Sequence, residues 1–135
     1  QANNMATRTE IREAIALLIE PFFTQSYAYR EDGVGVDDLP CAFVTIEAGD
    51  SEEDFDRAVI TDGALTIELV YRGAGDRDAA LDLLAKKIND EFNADETLGG
   101  LVEGIKRGGF SYDPDPESLI TTLALSYAVT YEDED

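Results

Sequence analysis

The sequence predicts an α+β fold: a mixed, largely antiparallel β-sheet of four to five strands, with two helices packed on one face. Two stretches repeat their apolar residues at helical spacing, and four others alternate apolar and polar residues with the period of a strand. Their order is helix, strand, strand, helix, strand, strand. Neighbouring strands then join by hairpins, which makes antiparallel pairing the economical solution.

The first helix is written in "TRTEIREAIALLIEPF". Thr7 and Glu10 have capping-box spacing, Ile11, Ile15, Leu18, Ile19 and Phe22 trace one stripe, and Pro21 marks the end. A Gly- and Asp-rich stretch follows, with a short strand expected at Tyr27 to Arg30. "CAFVTIEA" is then a strand that begins after Pro40. "AVITDGALTIELVYR" alternates more cleanly, with Leu65, Ile67, Leu69 and Tyr71 on one face and Thr66, Glu68 and Arg72 on the other. Asp76 is placed to cap a second helix, along which Leu81, Leu84, Ile88 and Phe92 form the buried stripe. Lys86 and Lys87 fall toward its C-terminal half, where positive charge suits the helix dipole. "GIKRGGFSYD" reads as a strand bent or bulged at Gly108 and Gly109, with a turn from Asp113 to Pro116. In the last strand Leu123, Leu125, Tyr127, Val129 and Tyr131 face the core. Leu119 is expected on the same face, opposite a smooth second face of Thr122, Ala124, Ser126, Ala128 and Thr130.

A chain of 135 residues suits one domain, expected over residues 5–131. "QANN" before Met5 reads as a cloning remnant, and residues 132–135, "EDED", as a solvated acidic tail. The 44% hydrophobic content is that of a folding protein rather than of a disordered acidic chain. Ten Lys and Arg against 30 Asp and Glu give 10 − 30 = −20, which opposes binding to nucleic acid through its phosphates. The single cysteine, Cys41, excludes an intrachain disulfide, and no apolar run is long enough for a bilayer. With no histidine, Ser/His and Cys/His catalytic pairs and histidine-ligated zinc are excluded.

The stretch "AGDSEEDFDRAV", residues 48–59, is the candidate functional segment. It gathers Asp50, Glu52, Glu53, Asp54 and Asp56 around Phe55, with Arg57 behind, in what reads as a loop between two strands. Clustered oxygens here and in "DPDPE" suit weak binding of Mg or Ca, yet neither stretch has the alternating ligands and central glycine of an EF-hand. No acid stands in an apolar setting that would prepare it for acid/base catalysis. "GAG" at residues 73–75 lies between a strand and a helix, but Asp78 occupies the third glycine position of a dinucleotide fingerprint and would repel a pyrophosphate. Cys41 reads as a small buried hydrophobe and the six tyrosines as core edges or subunit contacts. A solvated acidic loop is the favoured reading of the segment.

In order along the chain, "EIREAIALLI", "LPCAFVTIEAG", "AVITDGALTIELVYR", "RDAALDLLAKKI", "GIKRGGFSYD" and "LALSYAVTYE" resemble the tail terminator proteins of long-tailed phages, the family of the lambda minor tail protein U. The resemblance is cumulative and covers almost the whole chain from Met5. It implies a non-enzymatic virion protein without cofactor, assembled in the bacterial host cytoplasm. Such a protein caps the tail tube as a homo-hexameric ring, stops polymerisation, and offers the head-completion protein a docking surface. DNA passes through the ring without specific binding, and no membrane is involved. Asp50, Glu52, Glu53, Asp54, Phe55, Asp56 and Arg57 would then face the tail tube protein or the next subunit. Two alternatives stay open: an acidic DNA mimic that binds a basic partner, and a metal-assisted hydrolase.

Overall fold

A computed structural model describes residues 5–53 and 58–134. Its elements run β1 (Met5–Ala6), α1 (Arg8–Ile19), β2 (Gln25–Tyr27), β3 (Cys41–Glu53), β4 (Val59–Arg72), α2 (Arg77–Ala94), β5 (Gly104–Asp115) and β6 (Ile120–Asp133). The strands form one sheet in the order β1-β6-β4-β3-β2, with β5 also beside β6.

Local chemistry sets the helix ends. The Thr7 hydroxyl accepts the Glu10 amide at 3.1 Å while the Glu10 carboxylate accepts the Thr7 amide at 2.9 Å, so two donors that the helix cannot bond are satisfied. Asp76 accepts the Ala79 amide at 3.0 Å at the start of α2. Ile11, Ile15, Ala16 and Ile19 are the buried residues of α1, and Leu81, Ala85, Ile88 and Phe92 those of α2. The expected Leu18, Phe22 and Leu84 sit half-buried at the rim, while Ala16 and Ala85 are buried, because a small side chain lets a helix approach the sheet closely.

Both stripes join one core with Leu65, Ile67 and Leu69 of β4 and Leu123, Leu125, Tyr127, Val129 and Tyr131 of β6. Fully buried side chains of this kind contribute about 1.5–3 kcal/mol each. Two polar side chains of the interior find partners in the helix α2 region. Thr121, 1% exposed, accepts Arg77 Nε at 2.9 Å, and Tyr127 donates to Asn89 Oδ1 at 2.6 Å. The start of β3 is buried on both faces. Tyr27 stacks on Phe43 at 5.5 Å, and Arg30, ion-paired with Glu68, lies over the same ring.

The sheet departs from a largely antiparallel arrangement of four to five strands. Six strands take part, and the sheet is mixed: β1 runs parallel to the end of β6 and β2 parallel to the start of β3. These two strands are two and three residues long, too short for any periodicity to register. The short strand expected at Tyr27 to Arg30 lies earlier, at Gln25–Tyr27. The turn expected at Asp113 to Pro116 begins later, since β5 continues to Asp115, and Leu119 stands outside β6 in the left-handed region at φ 60. The acidic residues 132–133 are not a free tail. They pair with Met5 and Ala6, and Asp133 accepts from Thr61 at 3.0 Å and pairs with Arg8 at 3.4 Å.

Candidate assembly interface

The acidic segment is largely strand, not loop. Asp50, Ser51, Glu52 and Glu53 are laddered to Asp62, Thr61, Ile60 and Val59, so three of the candidate residues, Asp50, Glu52 and Glu53, stand on a long β3–β4 hairpin. Asp54, Phe55, Asp56 and Arg57 lie outside the described residues. From Glu47 onward β3 is exposed. Polar side chains brace this part of the hairpin. Ser51 donates to Thr61 at 2.7 Å, and Thr61 passes the chain on to Asp133.

Two ladders are open. β2 covers only Cys41 to Phe43 of β3, so the rest of the outer edge of β3 has no strand beside it among the described residues. On the opposite side of the sheet β5 pairs inward with β6 and, among the described residues, bears no strand outside it. The two edges differ in charge. Glu47, Asp50, Glu52 and Glu53 mark the first, Lys106 and Arg107 the second. Each carries a register shift, between Ile46 and Ala48 on β3 and between Arg107 and Phe110 on β5. The second is the bulge read from the glycine pair. A Cβ on Gly108 would meet the Ser126 carbonyl oxygen at 3.0 Å, so any larger residue would crowd the backbone at the bulge.

Behind the β5 edge, a groove of about 500 Å³ runs between β5 and α2, floored by Leu123, Leu125 and Tyr127. Phe110, 69% exposed, stands at its mouth edge-on to Tyr112, whose hydroxyl donates to Asp82. That bond holds the Tyr112 proton and pushes its pKa up to about 12. Tyr127 is also pushed up to about 12, by burial, with Arg107 pulling the other way. Both hydroxyls stay protonated at neutral pH and neither is prepared to act as a base. Cys41 is fully buried, which, with Asp38 nearby, pushes its thiol up to about 11 and leaves it a poor nucleophile. Among the described residues no three potential metal ligands converge. No helix among the described residues is long and apolar enough to cross a membrane. The groove escaped the sequence reading, although "KRGGF" holds its signal: two cations and an aromatic residue around a bulge.

The family model for phage minor tail protein U matches residues 6–131. The chain belongs to the phage minor tail protein U family. Members of this family are structural components of the phage tail, so a tail and virion role follows from the match itself. The fold agrees with a solved chain from the virion of a native gene transfer agent particle, at TM-score 0.51 and 14% identity, covering 87% of this chain and 84% of that one. No curated protein matches. In a structural tail protein, the exposed hairpin and the two open edges are surfaces available for assembly.

Proposed function

We propose that the protein is a tail terminator: it closes into a hexameric ring on the finished tail tube, stops polymerisation, and presents the surface on which the head-completion protein docks. The observation that carries this reading is the family match over residues 6–131. Two physical features support it. A ring with rotational symmetry needs two different patches per subunit that meet head to tail, and the sheet has unlike open edges on opposite sides. A net charge of −20 repels phosphates, so DNA slides through the ring instead of adhering to it. The hairpin acids Asp50, Glu52 and Glu53, continuing into residues 54–57, contribute a partner-binding surface. The ring forms in the host cytoplasm and remains in the virion tail, without enzymatic activity or a resident cofactor.

The test has two parts. Light scattering coupled to size exclusion, at low and high salt and with or without magnesium, is expected to show a six-subunit species once like-charge repulsion is screened. Added to uncapped tail tubes, the protein is expected to halt their elongation, as seen by electron microscopy. A strict monomer that leaves tubes growing would overturn the reading. Tight binding of that monomer to a basic nucleic-acid-binding protein would replace it with the DNA mimic.

A further inference from the structure

Four features of the β5 side remain unused by the fold. Lys106 and Arg107 are exposed neighbours at the start of β5. In a chain with 30 acids, neither makes an ion pair among the described residues. Phe110 exposes 69% of its surface beside them and meets its own subunit edge-on at the Tyr112 ring. The groove behind has an apolar floor, and its acids are already engaged, Asp82 by Tyr112 and Asp90 by Lys86 at 2.8 Å. The β3 side is the counterpart. Asp50, Glu52 and Glu53 are exposed on an open edge and make no ion pair among the described residues.

We propose that the acidic outer edge of β3 in one copy of the chain docks against the β5 edge and α2–β5 groove of the next, with Lys106 and Arg107 facing Asp50, Glu52 and Glu53 and Phe110 covered. This rests on the ring reading above and names its subunit interface. Charge complementarity selects a second copy as the occupant: the acids that Lys106 and Arg107 lack are carried by the chain's own far edge. Because the two edges lie on opposite sides of one sheet, the contact is heterologous and leaves each subunit one acidic and one basic edge for its neighbours. The bulges at Ile46/Ala48 and Arg107/Phe110 break the straight run that a stray strand would need, so the edges reject continuous pairing while side chains direct the specific contact. Phe110 supplies the apolar anchor that a rim of charges alone lacks.

Charge exchange tests the interface. One variant carries Lys106→Glu and Arg107→Glu; the other carries Asp50→Lys, Glu52→Lys and Glu53→Lys. All five positions are exposed, so both variants are expected to fold, which circular dichroism checks. In sedimentation velocity each variant alone is expected to self-associate at least about tenfold more weakly than wild type, because like charges then face each other. Mixed in equal amounts, they are expected to regain the wild-type size, since every contact of an alternating ring pairs opposite charges and six is even. If wild type assembles and both variants assemble equally well alone, this interface is overturned while the ring stands. Variants that fail alone and also fail when mixed overturn the pairing of these two edges. A wild type that stays monomeric at every salt and magnesium concentration overturns ring and interface together.

Discussion

The β3–β4 hairpin is one ladder, shifted in register between Ile46 and Ala48, with two unlike halves. Near its base Cys41, Ala42, Phe43 and Val44 are buried, held by the core on one side and by Tyr27 and Arg30 on the other. Beyond Glu47 the same strand is exposed and depends on backbone bonds and a short polar chain through Ser51, Thr61 and Asp133. The first half carries the stability; the second can change its side chains without disturbing the fold. A segment placed on a firm base yet free of packing duties is suited to recognition.

The largest effect expected in testing this contrast comes from the base. Ile67→Ala removes a fully buried side chain opposite Val44, and chemical denaturation should report a loss of about 2–5 kcal/mol. The exposed half offers no comparable site.

An intermediate effect is expected at alkaline pH. Burial raises the Cys41 pKa from 9.0 to about 11, so between those values the folded chain binds more protons than the unfolded one. Stability from this thiol is fully present below pH 9 and is lost as pH rises toward 11, by roughly 2–3 kcal/mol. Tyr127, raised from 10.0 to about 12, extends the loss upward. Thermal melts should fall from pH 9 onward, and Cys41→Ala should flatten the first part of that fall.

The smallest effect belongs to the tip. Replacing Asp50, Glu52 and Glu53 together by Asn and Gln should change folding stability by less than about 0.5 kcal/mol, because these side chains are exposed and unpacked. The same variant should self-associate more weakly, because Lys106 and Arg107 of the next copy lose the acids that face them, and should cap tails poorly. Normal capping by it would remove the hairpin from partner recognition.

Much of the fold is legible in the sequence. Thr7 and Glu10 announce a helix start because the cap is made by residues three apart, and "TIELVY" announces a strand because one face is buried and the other wet. The candidate site was legible only as composition. The acids from Asp50 to Glu53 read as a loop because an exposed strand carries no apolar alternation, and only Thr61 and Ile60 across the ladder make it one.

The sequence by itself determined whatever depends on near neighbours or on a buried stripe: the caps, both helices, the alternating faces of β4 and β6, and a core that takes in Leu65, Ile67 and Leu69. Tertiary structure alone decided where pairing stops. It drew Glu132 and Asp133 into the sheet beside Met5 and Ala6, ended β2 after Tyr27, and so left the acidic edge of β3 and the basic edge of β5 open on opposite sides. The physical reason is that a backbone ladder is made with residues distant in sequence, and its hydrogen bonds are nearly indifferent to the side chains that ride on them.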